Sequence, residues 1–511
     1  MNAVINAIHH YAQTPNKIAV QGNNVSLSYS ELALAIDQAS QQISSGHVLG
    51  IAMDNDPAWA VIDLAAMALE LPVVPLPGFF SHEQILHAIS DAGIDCIVSD
   101  QAINTEQFLT KAGITIAAKN TYPVAGKILT QFNLQIEHKH TSASHSLPKH
   151  TQKVTYTSGT TGQPKGVCLD SETMLQVANA LKTATRGCSA DRHLSILPLS
   201  TLLENIAGLY VPLLSGAICH LLPMSETGLS GGSGLDIQKM MLALHISKAT
   251  TTILTPELLR AMIMAIQAGM PTPTQLRFIA VGGASVSPHL LDQAASMGLA
   301  VYEGYGLSEC ASVLALNTPE QQQKGSVGKP LPHAQIKIAD DGEILVQGAT
   351  MAGYTGEAPR AKSNWLATGD IGYFDENGFL YISGRKKNVF ITSFGRNVSP
   401  EWVERELCMV PAISQAIVFG EARPWNVALI VPGKDSQGNF AQIEEIDSAI
   451  MQINAGLPDY AQIRQWLFAE APFTRQNQQL TSNGRLRREA IWQQYAPAIN
   501  RIYEEAEHAV L

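Results

Sequence analysis

The chain has 511 residues, 46% hydrophobic and 15% charged, with 33 Lys and Arg against 44 Asp and Glu and a net charge of −11. That length predicts more than one domain, and the composition excludes a disordered chain. The acidic balance excludes broad nucleic-acid binding, which runs on clustered Lys/Arg and counterion release, but leaves room for a small anion at a local positive site.

Met1 to Ala12 lacks a basic stretch followed by an apolar run, so no signal peptide is expected. Ser30 to Ser44 carries Leu32, Leu34, Ile36, Ala39 and Ile43 and reads as a helix. Val48 to Met53 reads as a strand, Ala58 to Leu69 as a helix, Val73 to Leu76 as a strand, His82 to Ala92 as a helix and Cys96 to Val98 as a strand. This alternation predicts βαβ units and a parallel sheet covered by helices. The most apolar stretch, Val61 to Pro77, holds Asp63, Glu70, Pro72 and Pro75, which fits a buried helix and strand and not a transmembrane segment. Six cysteines (Cys96, Cys168, Cys188, Cys219, Cys310, Cys408) are scattered without a CxxC pair, as expected of a reducing compartment and no zinc site. A cytoplasmic protein is the expectation.

Glu137 to His150 is polar and holds His138, His140, His145 and His150. A linker is favoured over a metal tract, because no carboxylate or cysteine follows at ligand spacing. Next comes Tyr156-Thr157-Ser158-Gly159-Thr160-Thr161-Gly162-Gln163-Pro164-Lys165-Gly166. Its glycines permit tight turns that aim several N–H groups at one point, its hydroxyls add donors, and Lys165 adds a charge. That is what a polyphosphate needs. It is not the P-loop pattern, in which the lysine directly follows the last glycine. Ser225 to Gly234 is a second loop, flexible by composition. Phe278 to Val281 reads as a strand ending in Gly282-Gly283-Ala284, an edge that a flat ring can approach, although tight packing would also explain it.

In Tyr302-Glu303-Gly304-Tyr305-Gly306-Leu307-Ser308-Glu309, Tyr305 can stack on a purine, Ser308 can bond a phosphate oxygen, and Glu309 can hold Mg²⁺ beside phosphates. Asp340-Asp341-Gly342 reads as a turn before the strand at Glu343 to Gly348. Asn377-Gly378 between alternating runs predicts a hairpin over Tyr373 to Ile382, so the sheet turns antiparallel. Asp370 in Thr368-Gly369-Asp370 can accept from both ribose hydroxyls and Arg385 in Ser383-Gly384-Arg385 can donate to them, although an Asp in a glycine turn is by itself usually turn chemistry. A new α+β block follows Lys387, its first helix expected at Trp402 to Leu407 after Ser399-Pro400.

These motifs, in this order and across essentially the whole chain, resemble the adenylate-forming superfamily: acyl-CoA synthetases of the long-chain fatty-acid ligase kind, adenylation domains of peptide synthetases, and luciferases. Thr14 to Val20, Ser28 to Leu32 and Val73 to Leu76 look like its N-terminal signature. The resemblance implies an α/β fold. A large N-terminal domain of helix-covered mixed sheets with a small antiparallel β subdomain (1–386) would precede a small mobile α+β C-terminal domain (387–511). It implies that Thr157, Ser158, Gly159, Thr160, Thr161 and Gly162 cradle the phosphates of ATP with Lys165. Gly282, Gly283 and Ala284 would meet adenine together with Glu303, Gly304, Tyr305 and Gly306. Ser308 and Glu309 would serve phosphate and Mg²⁺, and Asp370 and Arg385 would clamp the ribose. Lys387 matches the hinge position, with a plain surface lysine as the alternative, and Gly395 matches a glycine lining the pantetheine tunnel. In Leu480 to Arg488, Arg485 stands where the family carries its adenylation lysine. It keeps the charge but is planar and multidentate.

A carboxylic acid would thus be activated as acyl-AMP and passed to a thiol, either CoA or the phosphopantetheine of an acyl carrier protein. A catalytically weak nucleotide- or acyl-binding homologue is the alternative, because of Arg485. Thr201 stands where many members carry His or an aromatic, and Glu204 resembles the long-chain acyl-CoA synthetase version of that segment. No Asp falls between Pro198 and Leu209 to meet a substrate ammonium. Leu199, Leu202, Ile206, Val281, Ala311 and Val313 are expected to line a mostly apolar pocket for a fatty or other hydrophobic acid. The short stretch from Gly348 to Thr368 lacks the insertion typical of ligases that serve carrier proteins, which favours CoA.

Overall fold

A computed structural model of the chain describes all residues except Met1, 44–47, 136–146, 158–163, 231–233, Ser285, Ser287, 435–438, Arg475, 481–484 and 509–511. The core of the phosphate motif, with Ser158, Gly159, Thr160, Thr161 and Gly162, lies outside the described residues, as do His138, His140 and His145.

Local sequence sets the first helices. Tyr29–Gln42 starts one residue before the expected point because Ser28 and Glu31 close a reciprocal capping box. Pro57–Ala68 begins with Pro57 behind the Asp56 cap, and every residue from Pro57 to Met67 is buried. His82–Ala92 carries a second capping box and stops at Gly93, which takes the left-handed conformation.

The large N-terminal domain holds two sheets. One has eight strands, with Val73–Pro75, Leu49–Ala52 and Cys96–Ser99 parallel at its centre. Its outer hairpin, Thr115–Val124 with Lys127–Gln135, was not anticipated from the sequence; one face is exposed, so its apolar signal is weak. The other sheet has nine strands. At its centre Arg192–Leu194, Thr251–Leu254, Phe278–Val281 and Val301–Tyr305 run parallel. The largest core cluster contains Trp59, Ile62, Leu64, Leu199, Ile206 and Leu213. A four-stranded antiparallel sheet follows, including the hairpin of Leu366–Phe374 and Leu380–Arg385 around Asn377-Gly378. The small C-terminal domain pairs Ile413–Phe419, Asn426–Pro432 and Ile463–Phe468, with helices Pro400–Leu407, Ile443–Asn454 and Arg488–His508. Among the described residues no helix is long and apolar enough to cross a membrane.

Candidate active site

Parallel strands of an open α/β sheet end on one edge, and ligands collect beyond that edge. Here the edge receives Gly282-Gly283-Ala284 from one strand and Glu303 to Gly306 from its neighbour. Gly283 has φ +83°, which a side chain would resist. At Gly306 an added Cβ would fall 1.6 Å from the Ser312 carbonyl oxygen, so only glycine lets the chain fold back into the turn Ser308–Cys310 that carries Glu309.

The hairpin puts Asp370 and Arg385 directly opposite each other. Arg385 Nε lies 2.7 Å from Asp370 Oδ1, and Arg385 Nη1 donates to the Thr368 carbonyl. Tyr305 Oη donates to Asp370 Oδ2 at 2.6 Å. The ring expected to stack on a purine is thus tethered through its hydroxyl to the carboxylate expected at the ribose. Asp370 is buried, and burial raises its carboxyl above the usual range, with Arg385 pulling it back.

Glu309 accepts from the Tyr354 hydroxyl at 3.0 Å. The Tyr354 ring lies under Lys165 Nζ, 4.9 Å from its centre, and Lys165 pairs with Glu357 at 3.1 Å. Lys165 opens the strand Lys165–Asp170, opposite Thr157 at the end of Thr151–Thr157, so the two described ends of the phosphate motif are paired. Tyr354 and Glu357 were missed by sequence reasoning. Their Gly353-Tyr354-Thr355-Gly356-Glu357 run looks like a plain turn until Gly353–Tyr354 pairs with Lys165–Asp170.

Arg485 reaches this edge from the C-terminal domain. Its Nη2 donates to the Gly283 carbonyl at 3.2 Å. Burial and then Arg385 hold its guanidinium below the usual range, while Asp370, Glu309 and Glu401 act in the opposite sense. Lys387 is likewise held low by burial and by Arg385, with Glu401 opposing. Glu401, in the first turn of Pro400–Leu407, accepts from Asn388 and is a third residue that sequence reasoning missed. The helix begins at Pro400, two residues before the expected start, because proline fits the first helical position. Glu303 is 5% exposed, takes the Val286 N–H and leaves Oε2 without a partner among the described residues; burial pushes its carboxyl up to about 8. Gly395 adopts φ +71° in an exposed turn and is not part of the cleft lining.

A broad concave region of about 3040 Å³ opens at this edge; its lining reaches Trp492 and Tyr503 of the C-terminal domain and, in the N-terminal domain, the nine-stranded sheet and the segment 197–211. Of the six expected pocket residues, Leu202, Val281 and Val313 line it. Leu199, Ile206 and Ala311 do not; they are fully buried in the core. The helix Glu204–Tyr210 explains the error at Ile206, since Leu203, Ala207 and Val211 share the face turned to the cleft. Thr201 lines the cleft with its hydroxyl given to the Pro198 carbonyl at 2.7 Å.

The residues fit the groups their motifs imply. Glu309 is a single carboxylate at the expected phosphate position, which suits Mg²⁺ because that ion takes one or two carboxylates beside phosphate oxygens. Among the described residues there is no cluster of three His, Cys, Asp or Glu for an all-protein metal cage.

This sheet edge, crossed by an arginine from a small α+β domain, has the architecture of an adenylate-forming enzyme. A family model for AMP-binding enzymes matches residues 8–356, and one for the AMP-binding enzyme C-terminal domain matches 387–507. The chain belongs to the AMP-binding enzyme family and is an AMP-forming, acyl-CoA synthetase-like ligase. It is 26% identical to the long-chain-fatty-acid–CoA ligase FadD15 of Mycobacterium bovis over 93% of this chain and 90% of that one. It is 25% identical to the 2-succinylbenzoate–CoA ligase of Bacillus pumilus, covering 81% and 84%. The fold is also that of the anthranilate CoA ligase AuaEII with anthranoyl-AMP (TM-score 0.76, 17% identity, 96% of both chains). It matches the o-succinylbenzoate CoA synthetase of Bacillus subtilis as well (TM-score 0.72, 22% identity, 95% and 97%).

Proposed function

We propose that this chain activates a hydrophobic, fatty carboxylic acid with ATP and transfers the acyl group to CoA. A carboxylate oxygen of the acid attacks the α-phosphorus. The bond from that phosphorus to the bridging oxygen breaks, and pyrophosphate leaves. The CoA sulfur, having lost its proton, then attacks the acyl carbon of the mixed anhydride, and AMP departs.

The observation that carries this reading is the seat of Arg485 on the Gly283 carbonyl, facing Asp370 and Glu309. A guanidinium presents five donors in a rigid planar fork, the geometry that suits an α-phosphate and an incoming carboxylate. In the same reading Tyr305 and Gly282 to Ala284 hold adenine, Asp370 and Arg385 hold the ribose, and Lys165 exchanges exposed Glu357 for the terminal phosphates. Mg²⁺ at Glu309 would offset phosphate charge. Rotation about Lys387 would withdraw Arg485 and bring Gly395 to the site for the thiol step. The cleft walls Leu202, Leu203, Ala207, Val281 and Val313 favour an apolar chain. The names of the curated relatives, as CoA ligases for long-chain fatty acids and 2-succinylbenzoate, support CoA over a carrier protein.

Arg485→Ala is expected to lower acid-dependent pyrophosphate release about 100- to 1000-fold, the usual loss when a positioned charge-stabilising donor is removed. Thioester formation from supplied acyl-AMP should fall far less. Arg485→Lys should also be slower than the parent, because an ammonium reaching the phosphate gives up the Gly283 tether. An increase in rate with lysine would identify the arginine as a weakening substitution. Equal loss in both half-reactions would contradict the assignment of Arg485 to the first.

A further inference from the structure

Below the charged edge the cleft is lined by apolar side chains, Leu202, Leu203 and Ala207 among them, together with polar ones on the sheet. Along the strand Thr251–Leu254, Ile253 and Thr251 line it, and on the neighbouring strand His193 does. Thr251 is paired with Phe278 and Leu254 with Val281, so Thr251 lies four residues below the level of Gly282. At strand rise that is roughly 13 Å below the edge where the carboxyl would react.

His193 is 3% exposed, and its Nδ1 lies 3.0 Å from Thr251 Oγ1. Its Nε2 lies 2.9 Å from Glu204 Oε1. Glu204 is fully buried, and its Oε2 has no partner among the described residues. The backbone is shaped around this pair. Glu204 opens a π-helix, Glu204–Tyr210, a rare form that often marks functional sites. A side chain at Gly208 would strike Glu204 Oε1 and His193 Nε2, with its Cβ 2.0 and 2.8 Å away. On the far side, Asn205 and Tyr210 bond to the buried Asp63–Lys153 pair, which holds the π-helix in place.

The chemistry of the chain Glu204–His193–Thr251 has a direction. A carboxylate only accepts, so His193 gives its Nε2–H to Glu204. In the neutral imidazole the other ring nitrogen is then an acceptor and takes the Thr251 hydroxyl proton. Thr251, which lines the cleft, then keeps the acceptor capacity of its Oγ1. A plain methyl terminus would leave that acceptor without a donor.

We propose that the acid taken by this protein carries a hydrogen-bond donor, a hydroxyl or an amine, at the end remote from its carboxyl. Thr251 accepts from that donor, while His193 and Glu204 act as positioning residues behind it. This rests on the acid-activation reading above. A pair that only tied the π-helix to the sheet would affect all acids alike.

The test compares octanoic, decanoic and dodecanoic acids with their terminal hydroxyl and amino counterparts on the full chain. Both pyrophosphate release and calorimetric binding are measured. The expected result is a preference of at least about 100-fold in kcat/KM for one substituted series at its best length, since a site built for a hydroxyl rejects the analogue lacking it. Thr251→Val should bring the ratio of substituted to plain acid close to one, and Glu204→Gln should shrink it about tenfold by freeing the other His193 tautomer. A hydroxyl preference and an amine preference identify the donor. Equal use or equal binding of plain and substituted acids would overturn the proposal. So would a Thr251→Val variant that slows both series equally. Tighter binding of a substituted acid with no pyrophosphate from any acid would uphold this inference and refute the reaction.

Discussion

Asp370→Ala is expected to reduce pyrophosphate release about 100-fold or more, chiefly through weaker ATP binding. The carboxylate, 4% exposed, is shared between Tyr305 and Arg385. Hydrogen bonds to a charged partner contribute about 1.5–3 kcal/mol each, and every 1.36 kcal/mol is a factor of ten. Arg385 is about one-third exposed, so solvent screening reduces its share. A second effect adds to the first. Asp370 is one of the anions favouring the charged form of Arg485, and without it Arg385, Lys387 and Arg485 face one another less compensated. Asp370→Asn keeps an acceptor for Tyr305 and should retain more activity. Binding of a fluorescent ATP analogue, measured beside the KM for the acid, separates the effects; a raised acid KM with normal ATP affinity would contradict this account.

Lys153→Met is expected to destabilise the N-terminal domain by about 3–5 kcal/mol, the usual loss when one partner of a buried ion pair is removed. Lys153 and Asp63 are each 1% exposed and 2.5 Å apart. Lys153 also reaches Asn205 and Tyr210, so its loss leaves a buried carboxylate facing only neutral donors. Asp63→Leu combined with Lys153→Met should recover much of the loss, because well-packed apolar pairs often equal buried ion pairs. The midpoint of the first urea transition reports this, and an unchanged midpoint in Lys153→Met would contradict it. The same variant should raise the KM for the acid, because Asn205 and Tyr210 belong to the π-helix beside the cleft.

The fold was legible where a local pattern dictates a local answer. The 3.6-residue stripe of Leu32, Ile36 and Ala39 and the Asn377-Gly378 turn each specify their element without tertiary help. The same hairpin sets Asp370 opposite Arg385, two residues that the resemblance had already paired. What depends on distant chain segments was not legible. Tyr354 meets Lys165 only through pairing of Gly353–Tyr354 with Lys165–Asp170. Glu401 meets the site only because its helix docks beneath Asn388. The pocket face of segment 197–211 was misjudged at Ile206 because a π-helix shifts the register that an α-helical count assumes. His193 belongs to no motif, and its tie to Glu204 crosses from sheet to helix.

The most direct test follows the three products together. Purified protein is given ATP, Mg²⁺, CoA and a panel of fatty acids, and AMP, pyrophosphate and free thiol are measured over time. Acid activation and transfer predict equal amounts of AMP and pyrophosphate formed and thiol consumed, all dependent on the acid. Release of ADP and phosphate instead, or pyrophosphate formation indifferent to the acid, would contradict it.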